Sequence, residues 1–222
     1  MRPVLVTAGA TRNPIDAIRY LTAHSSGRTG SRIATELAGM GLDVTLLASG
    51  EAWLRLQAER PKDADRVRVI EYGSTYDLLE RMERWIRANP DSVVIHAAAV
   101  GDYAASDRAT TKIPSGQAEL LLRLRPTPKI LDRIRGWAPD CWLCSFKAAA
   151  PLTEELDLEQ IAQAQLRRSG SDLVFANVIG DLQSLVLLVD EQGTDRHSDR
   201  AAAVHELVRR AAAAAAAAKP TA

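Results

Sequence analysis

Cysteine is nearly absent. Cys141 and Cys144 are the only two. A Cys-x-x-Cys fits a redox pair or half a zinc site, but no second Cys or His pair has the matching spacing. Both lie in the apolar run 141–146, which reads as a buried strand whose alternation sends the thiols to opposite faces. Two reduced thiols suit a cytoplasmic protein. Net charge is absent as well. The 28 Lys and Arg balance 28 Asp and Glu, so no global field draws the chain to nucleic acid or an anionic membrane. No apolar run approaches the ~20 residues that span a bilayer. Arg2 and Pro3 lead into an apolar stretch too short for a signal-peptide core, so no signal peptide is expected.

What is present is an ordinary globular mixture, 46% hydrophobic and 25% charged over 222 residues. That length fits one large α/β domain able to bury a core without staples. Apolar runs predict strands over 4–8, 43–48, 67–70, 92–98, 118–124, 141–146, 172–177 and 185–189, the last opening a hairpin through 190–193. The run 92–98 is the most apolar and is expected at the centre of the sheet. Between the strands lie helix signals. One helix starts near Gly27 and carries Ile33, Leu37 and Met40 on one face before Gly41. Ser74 caps a second helix, with Asn89-Pro90 ending it. A short helix opens at 126–128 and closes near Gly136. Thr153 caps another, whose first turn holds Glu154 and Glu155. The last begins near Asp199. Residues 9–26 read as a long loop. The Ala-rich end, 211–222, lacks an amphipathic face and is expected to be a frayed extension of a domain ending near 210. Strand–helix alternation predicts an α/β fold, a Rossmann-like mostly parallel sheet with helices on both faces. Ligands bind such sheets outside the carboxyl ends of the strands.

Two further absences bear on the ligand. The second strand ends Leu46-Leu47-Ala48-Ser49, without the acidic residue that holds a nicotinamide ribose. No tyrosine has a lysine four residues on, as short-chain reductases require. Gly9 after the first strand is weak evidence for a dinucleotide. His24-Ser25-Ser26-Gly27-Arg28-Thr29-Gly30 says more, because a helix starting there offers free N–H groups and a positive dipole end to phosphate. Plain capping by Ser25 or Ser26 is the alternative. Ala98, Ala99 and Asp102 follow the central strand. The small residues admit a ligand to the backbone. Asp102 could hold a ribose hydroxyl or magnesium, or simply cap a turn. Lys112 lies in the polar stretch 108–116, read as a mobile flap or as solvated surface. Phe146-Lys147 and Ala176-Asn177 read as strand ends, where Phe and Asn can hold a base or serve packing and turns.

In this order, several motifs resemble the phosphopantothenoylcysteine synthetase (phosphopantothenate–cysteine ligase) family. They are Val6-Thr7-Ala8-Gly9-Ala10-Thr11-Arg12, Pro14-Ile15-Asp16-Ala17-Ile18-Arg19-Tyr20, 24–30, 98–103, Lys112-Ile113, 126–131, 145–147 and 172–177. The resemblance covers roughly residues 4 to 205. It implies activation of a carboxylate by CTP or ATP with Mg2+, through an acyl nucleotidylate, followed by attack of cysteine's amine. It implies 4'-phosphopantothenate and cysteine as substrates, a site near a homodimer interface, and no flavin. Carried onto this chain, Gly9, Ser25, Ser26 and Gly27 hold phosphate, and Ala98, Ala99, Asp102, Phe146 and Asn177 hold the nucleoside. Lys112 and Lys147 meet developing negative charge, and Arg19 meets the acid. Ala23 stands where the family carries an Asn associated with amide formation. The family usually has more lysines around Lys112, and commonly an acidic residue after Phe146.

Four readings follow: this ligase, a paralogue using another acid or amine, a non-catalytic nucleotide binder and, most distantly, a nicotinamide-dependent reductase.

Overall fold

The computed structural model describes residues 1–59, 61–151, 153–180 and 185–217. Eight strands form one sheet. In chain order its parallel members are β1 (Val4–Ala8), β4 (Val44–Ser49), β5 (Arg68–Tyr72), β6 (Val93–His96), β9 (Trp142–Ala149) and β10 (Leu173–Val178). The hairpin β11 (Val186–Asp190) and β12 (Gly193–His197) adds two antiparallel strands. The spatial order is β12-β11-β10-β9-β6-β1-β4-β5. The six parallel strands thus have Rossmann order, reversing between β1 and β6. A crevice opens at their carboxyl ends where the order reverses. β6 is central, as its apolar run predicts. β1, β4, β6 and β10 are buried on both faces, which explains continuous rather than alternating hydrophobicity.

Helices cover both faces. One face receives α1 (Arg28–Gly39), α2 (Gly50–Glu59) and α6 (Arg200–Ala216), packed with Val4, Val6, Ile33, Leu37, Phe175 and Leu207. The other receives α3 (Thr75–Ala88) and α4 (Ile134–Trp137) over Leu5, Val94 and Leu143, and α5 (Glu155–Ser169) over Val174 and Ala176. Fully burying one such Leu or Ile stabilises the fold by roughly 1.5–3 kcal/mol. Cys144 and Cys141 fall in clusters on opposite faces and are unpaired. Burial pushes the Cys141 thiol up to about 11 and the Cys144 thiol higher still.

Several expectations need correction. The stretch read as one long loop contains an antiparallel ribbon, β2 (Arg12–Pro14) and β3 (Tyr20–Thr22). Helix α2 was not predicted, although Gly50 opens it and Ser49, the last residue of β4, caps it by accepting from the Ala52 amide at 3.3 Å. Residues 118–123 are not a strand. Their leucines are exposed, and only β8 (Leu124–Pro126) pairs, with β7 (Tyr103–Ala105). Pro126 therefore ends a strand, and the following helical turn begins at Leu131. Glu154, not Thr153, is the N-cap of α5, and the Thr153 hydroxyl donates to the Ala150 carbonyl instead. The alanine tract is no frayed end over 211–216. α6 runs to Ala216, with Ala211 and Ala215 wholly buried, and the Arg2 amide donates to the Ala215 carbonyl. Alanine suits this helix because its methyl allows close approach to α1 and the sheet. Residues 218–222 of the expected tail lie outside the described residues. Among the described residues, no helix is long and apolar enough to cross a membrane.

Candidate active site

At the crevice the loop after β1 and the start of α1 touch through glycine. Gly27 is the N-cap of α1 with φ 74°, and no side chain caps the helix. A Cβ on Gly27 would lie 2.4 Å from the Ala52 methyl, and one on Gly9, at φ 93°, 2.0 Å from Ser49 Oγ. Gly30 lies as tightly on Ala8 and the Thr7 carbonyl. The first hydrogen bond of α1 runs from the Ser31 amide to the Gly27 carbonyl, at 3.0 Å. The amides of Arg28, Thr29 and Gly30 precede it, the arrangement that suits a phosphate. Ser25 does not cap the helix; its Oγ accepts from the Gly27 amide at 3.4 Å and shapes the turn.

Beside this turn lies a cavity of about 250 Å³ lined by Ala10, Arg12, Tyr20, Ala23, Ser25 and Glu51, among others. Arg12 stacks on the Tyr20 ring at 4.9 Å and lies 4.0 Å from Glu51. Ala23 therefore lines a pocket at the phosphate turn. Glu51, two residues past β4, supplies an acid there although the strand itself ends without one.

Across the crevice, the loops after β1 and β6 run together. The Ala99 amide donates to the Gly9 carbonyl at 2.8 Å, and the Thr11 amide to the Ala99 carbonyl at 3.1 Å. Beneath, Thr7 Oγ1 accepts from the Ala98 amide at 3.0 Å and meets His96 Nδ1 at 3.0 Å. Burial pushes His96 down to about 4. A neutral ring accepting the Thr7 proton at Nδ1 completes this pair. Thr11 Oγ1 accepts from the Gly101 amide and from Thr75 Oγ1, and Thr127 Oγ1 donates to the Gly101 carbonyl. Asn13 Oδ1 accepts from the Thr75 amide. Thr11, Asn13, Thr75 and Thr127 were not predicted as site-forming residues. Thr11 and Thr127 lie in the first and sixth motifs, Asn13 and Thr75 in none, and the partners of all four are remote in sequence.

Phe146 lies within β9, not at its end, and stacks on Phe175 with ring centroids 4.6 Å apart. The Arg200 guanidinium covers the Phe175 ring at 5.0 Å, and its Nη2 donates to Thr29 Oγ1 in the first turn of α1, at 3.3 Å. Arg200 Nη1 is buried without a partner, and no carboxylate pairs with Arg200 among the described residues. Asn177 shares this face of the sheet by strand alternation, buried, with Nδ2 donating to the Val178 carbonyl. Phe146, Asn177, Arg200 and the phosphate turn are thus brought together on one face. Lys147 follows Phe146 in the strand and faces the other way.

Asp102 and Lys112 belong to an outlying arm built from β2, β3, β7, β8 and the intervening stretch. Asp102 is exposed and accepts from Lys129 Nζ at 2.5 Å. Lys112 is exposed, yet its stretch is tied down: the Ala109 amide donates to the Ile15 carbonyl at 3.0 Å, and the Ile113 amide to Asp16 Oδ2 at 3.0 Å. Arg19 Nη1 donates to Asp16 Oδ2 at 2.6 Å and to the Ile113 carbonyl at 3.1 Å. Arg19 and Lys112 are therefore neighbours through residue 113.

The family model of the DNA/pantothenate metabolism flavoprotein C-terminal domain matches residues 1–215. The chain belongs to this family. The coenzyme A biosynthesis bifunctional protein CoaBC of Thermococcus kodakarensis is 42% identical over 189 residues, covering 84% of this chain and 44% of that protein. CoaBC of Mycobacterium tuberculosis H37Rv is 33% identical over 186 residues, covering 81% and 42%. This chain thus spans less than half the length of these relatives. The DNA/pantothenate metabolism flavoprotein of Streptococcus pneumoniae superposes with a TM-score of 0.81 at 25% identity, over 96% of this chain and 99% of that one. A Cab2 variant solved with phosphopantothenate-cysteine has the same fold, with a TM-score of 0.78 at 18% identity, over 96% and 87%. The family and the Rossmann-like sheet expected from the motifs are both present.

Proposed function

We propose that this chain is a nucleotide-dependent acid–amine ligase of coenzyme A biosynthesis, joining 4'-phosphopantothenate to cysteine. The observation that carries the reading is the first turn of α1, capped by no side chain, with Gly9 and Gly27 pressed against Ser49 and Ala52 and Arg200 alongside. Backbone amides, a dipole end and an unpaired guanidinium together fit a triphosphate. The CoaBC relatives, named for coenzyme A biosynthesis, support the pathway, and the phosphopantothenate-cysteine bound to the Cab2 variant supports the acid and amine.

The acid's carboxylate attacks the α-phosphorus of CTP or ATP, and pyrophosphate leaves. Cysteine's amine then attacks the acyl carbon, loses a proton and expels the nucleoside monophosphate. Preorganised donors at the developing charges supply most of such an acceleration. Ser25, Ser26, Gly27 and Gly9 frame the phosphates. Ala98, Ala99, Asp102, Phe146 and Asn177 hold the nucleoside, with Asp102 released from Lys129 as it binds. Arg19 keeps Nη1 on Asp16 and turns the rest of its fork to the acid, while Lys112 meets the phosphates. Lys147, on the opposite face, reaches the site only around the strand end. Among the described residues no three His, Cys, Asp or Glu side chains converge on a metal-sized site, so Mg2+ fits as an ion carried by the triphosphate. Exposed Ile18, Tyr103, Leu121 and Leu124 on the arm support a homodimer with the site beside the interface, and two free thiols suit the cytoplasm.

Ala23 favours one variation. Its methyl lines the pocket where the family's Asn would offer an amide, so the chain forms the nucleotidylate more readily than it completes the amide. Pyrophosphate release with CTP and with ATP, with and without phosphopantothenate and cysteine, tests the reading. Release that requires phosphopantothenate is expected. Release only with another acid favours a paralogue; tight NADPH binding with no triphosphate binding overturns the proposal.

A further inference from the structure

Asp16 carries more contacts than its turn requires. It sits at the tip of the β2–β3 ribbon, and its side chain has no exposed surface. Oδ1 accepts from the Ile18 amide at 2.9 Å and the Arg19 amide at 2.7 Å. Those bonds make an ordinary Asx turn. Oδ2 does something else. It accepts from Arg19 Nη1 at 2.6 Å and from the Ile113 amide at 3.0 Å, 97 positions along the chain. The same Nη1 reaches the Ile113 carbonyl. Both polar groups of one peptide residue are thus held by the two members of one ion pair. Burial alone would raise the Asp16 carboxyl, but the amides of Ile18, Ile113 and Arg19 and the Arg19 guanidinium outweigh it and hold the group at about 2. It is ionised at any working pH, so the clamp is permanently charged.

We propose that Asp16 is a positioning residue that registers Lys112 against Arg19, so that the cation for the nucleotide and the cation for the acid move as one unit. The inference rests on the roles given above to Lys112 and Arg19. A local turn former would leave Oδ2 to solvent. Here Oδ2 is spent on the residue next to Lys112, and the Ala109 amide, donating to the Ile15 carbonyl, ties the same stretch to the ribbon.

A double-mutant cycle tests this, using Asp16→Asn, Lys112→Ala and both together in the full chain. The readout is the initial rate of pyrophosphate release with phosphopantothenate and the accepted triphosphate, beside thermal unfolding. Each single change is expected to slow release on the order of tenfold. The double variant should be no slower than the slower single, because coupled residues are not additive. Trypsin cleavage after Lys112 in the folded protein should speed up in Asp16→Asn, a change that an Asx turn acting only on Ile18 and Arg19 would not produce. If Asp16→Asn does not fold, Ile113→Pro removes the amide donor while also restricting the backbone around Lys112, and enters the rate cycle only, since trypsin does not cut before proline. Multiplying effects, or unchanged rate and cleavage in Asp16→Asn while Lys112→Ala is slow, overturn the inference and leave the ligase reading standing. No pyrophosphate release by the unmodified chain with any triphosphate, or a Lys112→Ala rate equal to the unmodified one, removes the reading on which it rests.

Discussion

The phosphate turn and the arm are built by opposite means. At the turn, shape comes from exclusion: Gly9, Gly27 and Gly30 are pressed against Ser49, Ala52 and Ala8, and a single added methyl has nowhere to go. In the arm, shape comes from a few directional bonds, Asp16 and Arg19 to Ile113, Asn13 to Tyr103 and Lys129 to Asp102. Much of its apolar surface stays in solvent, with Leu121 at 84% exposure. A close-packed region resists small changes and fails abruptly. A region with few buried apolar contacts opens at lower free energy than a packed core. On the proposed function, the contrast suits the first to holding a phosphate rigidly and the second to moving as substrates bind.

The sharpest way to break this contrast is at the turn. Gly27→Ala puts a side chain at φ 74° and 2.4 Å from Ala52. It should cost about 3 kcal/mol by strain plus overpacking and remove triphosphate binding. Denaturant unfolding and titration calorimetry measure the two effects, and full stability with intact binding would mean that sterics do not shape the turn. Next is Ala23→Asn, at the pocket between the two regions. If the rest of the family pocket is intact, it should speed amide formation by roughly 10²-fold, the worth of one well-placed donor. Single-turnover assays that follow pyrophosphate and the cysteine amide separately read this out; rapid amide formation without the Asn would show Ala23 to be no handicap. Within the arm, Lys112→Ala should slow nucleotidylate formation on the order of tenfold while moving stability by less than about 0.5 kcal/mol. A large loss of stability there would make the arm part of the packed core. Smallest is Leu121→Asp, expected to change monomer stability by under about 0.5 kcal/mol yet shift the chain towards monomer in sedimentation experiments. An unaltered sedimentation profile would place the dimer contact elsewhere.

Legibility followed the same division. The parallel strands read clearly because two-sided burial writes continuous apolar runs, as in 4–8 and 172–177. The start of α1 read from Ser25, Ser26 and Gly27 because a helix start has local chemistry. The arm did not. Residues 118–123 have a strand's composition, but an apolar run cannot report whether its side chains meet a core or solvent. Nothing local announces the roles of Thr11, Thr75, Thr127 or Asp16, since each finds its decisive partner tens of residues away. The alanine tract misled for a related reason: without an amphipathic pattern, nothing in it announces that Ala211 and Ala215 will be buried.

The sequence by itself determined the fold class, the central strand, the opposed faces of the two cysteines and the position of the glycine turn that starts α1. All depend on periodicity or on neighbours within one turn of chain. Only the tertiary structure decided that Phe146 and Asn177 share a face with Arg200 while Lys147 points away. It alone joined Arg19 to Lys112 through Asp16 and set Lys129 against Asp102. Those pairings depend on which loops the sheet's strand order brings to one edge, and strand order is fixed by packing over the whole core rather than by any local run of residues.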